Sequence, residues 1–244
     1  MHNQYSQNGY LHLPQFFTHS ELVDIETLLG QFHVAWMMAN KELYLRGAIN
    51  SHSITSGEYL RREELLRVFE FITQAKVRSI IEPLFPNPPK FLNTQLFFDP
   101  CAPQQRNYWH RDVQYTGRGI AEQQAMLGSQ TILHCRIPLT AEHGIELVPG
   151  SHRAWDTNEE YAVRMQLDGK TSSDSLSTGR IIPLEKGDVL IFSANMIHRG
   201  LYGKNRFAFD IIYCDNSPDF LSFRDTGNLP TEEECACLPW NSIF

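Results

Sequence analysis

Apolar positions along the chain change their spacing near residue 90. Before that point they recur every three or four residues, as on one face of a helix. Thr18 and Glu21 form a capping-box pattern that predicts the start of a helix, and Gly30 predicts its end. A second helix is predicted over about 62–82, where a cluster of prolines beginning at Pro83 ends it.

Beyond residue 90 the apolar runs become short, rich in β-branched and aromatic residues, and bounded by turn residues. This pattern predicts strands. Helices followed by many short strands indicate a mainly β fold with flanking α-helices, packed outside an antiparallel jelly-roll barrel, the cupin-like double-stranded β-helix. The predicted strands are 91–98, 131–139, 145–148, 189–192 and 207–213.

A single domain is expected over 1–244, because the chain contains no internal repeat and no long linker. We expect helical support over about 1–90 and a jelly-roll core over about 91–220. The polar segment 153–180 lies between predicted strands, and long segments in such places are often functional, so we expect a lid. The alternative is a surface excursion that contains a short helix over 159–165.

Composition and charge narrow the functional classes. The 244 residues are 42% hydrophobic and 20% charged, which is typical of a soluble globular protein. A net charge of −7 without a basic run argues against nucleic acid and membrane surfaces as partners. No apolar stretch approaches the about 20 residues of a membrane span, and the polar start of the chain predicts no signal peptide. No pattern indicates an oligomeric state.

The cysteines suggest a compartment. The chain has five, an odd number without disulfide spacing, so a reducing environment is favoured and a cytoplasmic location is expected. Cys235 and Cys237 could contact a metal or another thiol. Two incidental thiols are the favoured interpretation, because no second pair of metal ligands lies nearby in the sequence.

Three residues of metal-binding type lie on a predicted extended segment or just after a predicted strand. His110 and Asp112 are two apart, and in a β-strand this spacing aims both side chains at the same face. His198 comes just after the apolar run 189–192. Two imidazoles and one carboxylate on one side of a metal form the facial triad of non-haem Fe(II) oxygenases, which leaves coordination positions open. These three residues are the candidate metal ligands and catalytic residues.

Arg206 begins the strand predicted after His198. A guanidinium can hold a carboxylate through two parallel hydrogen bonds. If Arg206 points inward, strand alternation makes Asp210 point inward as well. A buried arginine needs an anionic partner. A small dicarboxylate ligand and a structural partner such as Asp210 both remain open on residue types alone.

Strand alternation selects further pocket candidates. Asn93 and Gln95 share one face of the first predicted strand, although exposure on an edge strand is an alternative. Tyr108 and Gln114 share the alternation of the close ligand pair, with plain strand packing as their alternative.

Two more candidates for the substrate pocket lie elsewhere. Arg136 shares a strand face with His134, and both could contact a polar substrate, although structural roles are favoured for each. Trp155 lies in the segment expected to form the lid. The candidate substrate-pocket residues are therefore Asn93, Tyr108, Gln114, Arg136 and Trp155.

Four motifs occur in an order that is hard to obtain by chance. They are an opening stretch at 8–14 before the capped helix, the metal motif at 109–112, a Pro-Gly-Ser-His turn within 144–153, and the distal histidine region at 187–200. Through these motifs, and over nearly its whole length, the chain resembles the phytanoyl-CoA dioxygenase family of Fe(II)- and 2-oxoglutarate-dependent oxygenases.

The resemblance implies specific roles. His110, Asp112 and His198 would bind Fe(II). 2-Oxoglutarate would chelate the iron, Arg206 would hold its far carboxylate, and O2 would be the second co-substrate. Gln95 is assigned to 2-oxoglutarate, because the family often places a glutamine of this strand there. The implied reaction hydroxylates a C–H bond of a small organic metabolite with release of succinate and CO2. The eight-residue gap from His198 to Arg206 is shorter than in many family members.

The reaction type and the substrate are less defined than the metal site. Asp112 argues for hydroxylation, because related halogenases replace this carboxylate with a small residue. Desaturation or ring formation remains possible, as do an oxygenase with another metal and a non-catalytic ligand-binding module. The lack of a basic patch argues against acyl-CoA and favours a polar or amphipathic metabolite.

Overall fold

The computed structural model describes residues 2–102, 104–128 and 131–244. Within these ranges the α-helices are α1 (His2–Asn8), α2 (His19–Ala39), α3 (Lys41–Leu45), α4 (Arg62–Thr73), α5 (Ala75–Ile81), α6 (Ile120–Met126), α7 (Asn158–Met165), α8 (Pro218–Leu221) and α9 (Glu232–Cys237). The strands are β1 (Tyr10–Leu13), β2 (Asn50–His52), β3 (Lys90–Phe98), β4 (Ile132–Pro138), β5 (Glu142–Leu147), β6 (Arg180–Leu184), β7 (Val189–Ser193), β8 (His198–Gly200) and β9 (Phe207–Cys214).

The strands form two antiparallel sheets. The larger has the order β1-β7-β4-β9-β3-β2, and the smaller has the order β6-β5-β8. Leu190 and Phe192 of the larger sheet pack against Ile145 and Leu147 of the smaller one, so the sheets face each other. The predicted mainly β jelly-roll with flanking helices is confirmed, although the two sheets do not close into a continuous barrel in the described part of the chain.

The helices cover the outer face of the larger sheet. Along β9, Phe209, Ile211 and Tyr213 join the main core beneath α2 and α4, while Asp210 and Ile212 point into the space between the sheets. This alternation is what strand geometry requires of a sheet with two buried faces. One face of the larger sheet is therefore largely apolar, and the other can carry a polar site.

Helix α2 starts where predicted but ends later. Thr18 and Glu21 cap it, with the Thr18 backbone N–H donating to Glu21 Oε2 at 2.8 Å. The predicted stop at Gly30 is wrong, because the helix continues to Ala39. A helical glycine costs only about 1 kcal/mol, and the buried Phe32 and Trp36 beyond it offset that cost.

The helix predicted over 62–82 is divided into α4 and α5. Gln74 has an extended backbone with ψ 147° and separates the two. Its side-chain amide donates to the Phe71 carbonyl at 2.9 Å, and the Thr73 hydroxyl donates to the Phe69 carbonyl at 2.7 Å. These side chains satisfy carbonyls at the end of α4, so the helix can stop without a glycine.

Four strands, β1, β2, β6 and β8, are not predicted by the sequence pattern. Each has only three to five residues, which is too short to display a clear alternation. β1 pairs with β7 through Tyr10 and Phe192, and β2 pairs with β3 through Asn50 and Phe97. The N-terminal region therefore supplies two strands of the larger sheet as well as helices.

The structure holds no helix, among those described, that is long and apolar enough to cross a membrane. All five cysteines are free thiols. Cys235 and Cys237 belong to no metal-ligating cluster among the described residues.

Candidate metal centre

The three predicted ligands converge. A β-bridge places His110 opposite His198, with the backbone N–H of each donating to the carbonyl of the other at 3.0 and 2.9 Å. Asp112 Oδ1 lies 3.5 Å from His110 Nε2 and 3.7 Å from His198 Nε2. The ligand atoms all lie within 4.8 Å of one another, which is compact enough to hold one metal ion.

The extended segment predicted through Asp112 is wrong from Asp112 onward, because only the backbone up to Arg111 is extended. Asp112 opens a short 3₁₀ helix, Asp112–Thr116, after its N–H has bonded to the Ala194 carbonyl at 3.1 Å. The helix ends at Gly117, whose φ of 74° suits a glycine. The turn still delivers the carboxylate to the two histidines, so the cluster forms without the strand geometry.

Hydrogen bonds prepare the histidines as ligands. His198 Nδ1 lies 3.0 Å from the Met196 carbonyl, and His110 Nδ1 lies 3.2 Å from the Tyr108 carbonyl. A carbonyl only accepts, so each Nδ1 carries the proton and each Nε2 is left as a ligand. Burial and the neighbouring His110 lower the pKa of His198 to about 3, which keeps its imidazole neutral.

A chain of ionisable groups anchors the carboxylate. His134 Nε2 lies 2.7 Å from Asp112 Oδ2, and His134 Nδ1 lies 3.2 Å from Asp210 Oδ2. Asp210 in turn accepts two hydrogen bonds from Arg136, at 2.7 and 3.0 Å. Burial alone would lower the pKa of His134, but its two carboxylate partners raise it to about 9. One oxygen of Asp112 therefore faces the cluster while the other is held by a cation.

Arg206 is buried near the cluster, and some of its guanidinium donors have no hydrogen-bond partner. It is 3% exposed, and its Nε and Nη1 have no hydrogen-bond partner among the described residues. Glu142 is its nearest carboxylate, with Oε2 3.5 Å from Nε, and Asp210 is occupied by Arg136. Burial, and then the charge of Arg136, lower the pKa of Arg206 to about 10, so it stays protonated at neutral pH.

Gly200 makes room for this guanidinium. A Cβ at this position would overlap Arg206 Nη1 and Nη2. The glycine therefore lets the arginine lie close against β8, two residues after the ligand His198.

The cluster and Arg206 share one cavity of about 360 Å³ between the sheets. Its lining includes Phe97, Tyr202, Asp210 and the anchoring His134. The Arg206 guanidinium lies 5.0 Å from the Phe97 ring centroid, which shields one face of the charge.

The sequence matches the family model of phytanoyl-CoA dioxygenase (PhyH) over residues 5–206. The chain belongs to this family. The phytanoyl-CoA dioxygenase family consists of 2-oxoglutarate-dependent non-haem iron oxygenases, whose co-substrates are 2-oxoglutarate and O2. Comparison with curated proteins finds no sequence match.

Solved structures share the fold. AviO1 from Streptomyces viridochromogenes Tue57 is 16% identical with a TM-score of 0.59, over 88% of this chain and 93% of that one. EctD from S. alaskensis with bound Fe is 15% identical with a TM-score of 0.58, over 86% and 74%. The non-haem α-ketoglutarate-dependent epimerase SnoN from nogalamycin biosynthesis is 16% identical with a TM-score of 0.57, over 87% and 81%.

The structure brings some of the predicted pocket residues of this phytanoyl-CoA dioxygenase family member into the cavity and leaves others outside. Gln95, Tyr108 and Arg136 line the cavity with the metal cluster and Arg206. Asn93, Gln114 and Trp155 do not belong to its lining.

Local geometry explains each displaced residue. β3 contains a bulge between Phe91 and Asn93, so Leu92 replaces Asn93 in the cavity wall. Gln114 lies in the 3₁₀ helix, where its Oε1 accepts from Arg164 at 2.8 Å. Trp155 packs against Arg111 and Arg164, 5.5 Å from each guanidinium carbon.

The segment 153–180 is attached to the core by buried charges. The short helix predicted over 159–165 is present as α7. Asp156 lies 2.8 Å from the Nε atoms of both Arg111 and Arg164, and all three side chains are fully buried. None of the residues 153–180 lines the metal cavity, so a moving lid stays a prediction.

Several residues of the site carry no clear signal in the sequence. Strand alternation places His134 on the same face as Arg136, but it does not indicate that His134 contacts a metal ligand. Alternation also gives no reason to select Glu142 or Gly200. Strand alternation could have placed Phe97 beside Gln95. Glu142 lies just before a bulge in β5, where alternation gives no guidance.

Proposed function

We propose that this phytanoyl-CoA dioxygenase family member hydroxylates a C–H bond of a small organic molecule, using Fe(II), 2-oxoglutarate and O2. One observation carries the proposal. A facial His-Asp-His cluster and a buried arginine with unmade hydrogen bonds line the same cavity.

The donor set fits iron. Two neutral imidazoles and one carboxylate on one side of a metal, with the other side open to a cavity, are the ligands of non-haem Fe(II) oxygenases. Burial would raise the pKa of Asp112, but the neighbouring imidazoles of His110 and His134 hold it well below its usual range, so it is an ionised ligand. Bound Fe(II) would supply O2 activation coupled to the decarboxylation of 2-oxoglutarate to succinate and CO2.

The charge balance fits a dicarboxylate. Arg136 makes hydrogen bonds to Asp210, whereas Arg206 has an ion-pair contact of 3.5 Å with Glu142 but no hydrogen bond to it. The free Nε and Nη1 donors of Arg206 can hold the far carboxylate of 2-oxoglutarate. Gln95 lies in the same wall, opposite Asp210, where its amide can donate to that co-substrate.

Asp112 supports hydroxylation over halogenation. Its side chain occupies the third ligand position, and His134 fixes it there from behind. A halide would need that position to be vacated. The five free thiols fit a reducing compartment, which supports the proposed cytoplasmic location.

The test is succinate formation from 2-oxoglutarate under air with added Fe(II), with or without an organic substrate. Arg206→Gln should raise the KM for 2-oxoglutarate at least about 100-fold, the loss expected when a charge-assisted pair worth about 3 kcal/mol is removed. The matched control is Arg180→Gln, because Arg180 is an exposed arginine outside the cavity.

The same variant separates co-substrate binding from metal binding. Mn(II) affinity should be unchanged in Arg206→Gln, because the residue does not belong to the ligand cluster. Equal KM values for Arg206→Gln and the wild type would contradict the assigned co-substrate contact. Absence of Fe(II)-dependent succinate formation in the wild type would overturn the oxygenase proposal.

A further inference from the structure

The cavity wall changes polarity along the strands of the larger sheet. Arg206 lies just before β9, and the cavity-lining residues that follow it on that strand are Asp210 and Ile212. Successive inward positions lie about 7 Å apart along a strand. The wall therefore has a charged end at Arg206 and an apolar end beyond Ile212.

Neighbouring strands repeat this gradient. Asp210 lies opposite Gln95 on β3 and Arg136 on β4, which forms a polar row across the sheet. In the next row, Ile212 lies opposite His134 on β4 and Asn93 on β3, but Leu92 rather than Asn93 lines the cavity there. Beyond that row the wall residue is Ile132, and both Leu92 and Ile132 pack with the apolar cluster around Val113 and Cys214.

The metal cluster lies at the level of the His134 row, because His134 holds Asp112 at 2.7 Å. Arg206 and the polar row of Asp210 therefore lie to one side of the cluster. The apolar wall of Leu92, Ile132 and Ile212 begins at the row of the cluster and continues to its other side.

Two tyrosines line the cavity beside the ligand pair. The rings of Tyr108 and Tyr115 lie 5.1 and 5.8 Å from the ring of the ligand His110. They are 37% and 61% exposed, so their faces are available at the mouth of the cavity. Aromatic faces of this kind pack against flat or alicyclic ligands.

Every acidic and basic residue in the described lining is already committed. Asp112 belongs to the metal cluster, Arg136 and Asp210 neutralise each other, and Arg206 faces the co-substrate end. A charged group of the substrate would therefore lose its hydration without gaining a partner, which is costly.

We propose that the substrate is uncharged and carries an aromatic or alicyclic ring that packs against Leu92, Ile132, Ile212 and the two tyrosines. The inference rests on the proposed oxygenase function and names the class of molecule that this site accepts. Of the polar or amphipathic metabolites expected from the sequence, it favours the amphipathic ones, and it agrees with the expectation against acyl-CoA, whose phosphates find no uncommitted cation among the described cavity-lining residues.

The test uses two probes with one skeleton, the neutral methyl 2-naphthoate and the anionic 2-naphthoate. Binding is measured by equilibrium dialysis to protein saturated with Mn(II) and 2-oxoglutarate, so that Arg206 cannot capture the anion. The neutral ester should bind at least about ten-fold more tightly than the anion, because the carboxylate loses its hydration in the cavity without gaining a cationic partner.

Charge-introducing variants locate the site. Leu92→Lys should reverse the preference, since its ammonium would give the carboxylate a partner. Tyr115→Lys should shift it in the same direction, and this exposed position tolerates lysine even if Leu92→Lys fails to fold. The matched control is Ile181→Lys, because Ile181 is 55% exposed and lies outside the cavity.

The outcomes separate the two proposals. Failure of the ester to bind, equal affinity for the two probes, or an unchanged preference in both lysine variants would overturn the substrate class. Succinate formation without any probe tests the oxygenase function independently. If the protein forms succinate but binds 2-naphthoate more tightly than the ester, the proposed oxygenase function stands and only the proposed substrate class is overturned.

Discussion

His134 connects the metal end of the cavity to its charged end. Its two ring nitrogens bond to Asp112 and Asp210, and Asp210 is held by Arg136. Groups that orient a ligand from behind set the geometry in which it meets the metal. His134 is therefore a positioning residue for the carboxylate ligand.

Replacing this histidine should weaken metal binding. In His134→Leu the anchored oxygen of Asp112 loses its partner, and Mn(II) affinity should fall about 10- to 100-fold. The Mn(II) affinity is measured by titration, with electron paramagnetic resonance reporting the free Mn(II). The control is His33→Leu, a half-buried histidine that packs on Phe98 away from the metal cluster. Equal Mn(II) affinities in the two variants would refute the positioning role.

Among the helices and strands, regular patterns were predictable and local irregularities were not. Strand alternation predicted that Asp210 points the same way as Arg206, and both line the cavity. The candidate metal triad was selected from residue types and order, because the chemistry needs those side chains, and the structure brings the three together. The 3₁₀ helix at Asp112 and the bulge in β3 depend on tertiary pairing, which no local pattern reveals.

Two glycines in these elements should respond to a methyl group in opposite ways. Gly144 has φ +88°, and a Cβ there would overlap the Ile182 carbonyl across the β5 bulge. Gly144→Ala should therefore destabilise the protein by more than about 1 kcal/mol.

The matched change is in the middle of α2. A methyl group at Gly30 would meet no neighbouring atom within 4 Å, so Gly30→Ala should stabilise the fold by about 0.5–1 kcal/mol. Urea unfolding of both variants measures the free energy of unfolding. Destabilisation by Gly30→Ala would contradict the continuous helix through that position.

At the scale of the whole molecule, buried charges join regions that are distant in sequence. Arg111 lies between the ligands His110 and Asp112, and its guanidinium bonds to Asp156 and to the carbonyls of Ser151, Ala154 and Asn195. The metal motif and the start of the segment 153–180 are therefore one packed unit.

Breaking this network should cost stability. Asp156→Ala leaves the guanidiniums of Arg111 and Arg164 buried without their carboxylate, and the free energy of unfolding should fall by about 3–5 kcal/mol. The control is Asp24→Ala, which removes an exposed ion pair with Arg67 and should cost less than about 1 kcal/mol. Thermal unfolding with Mn(II) absent compares the two. Similar losses would show that the network contributes no more than a surface pair.

The bulge in β3 has a consequence for how such a protein could diverge. Leu92 is the extra residue, and it stands in the cavity wall where Asn93 would otherwise stand. Deleting the single codon for Leu92 would restore regular pairing, put an amide in place of an isobutyl group, and leave the candidate metal ligands and Arg206 unchanged. A descendant could thus exchange an apolar substrate for a hydrogen-bonding one in a single step.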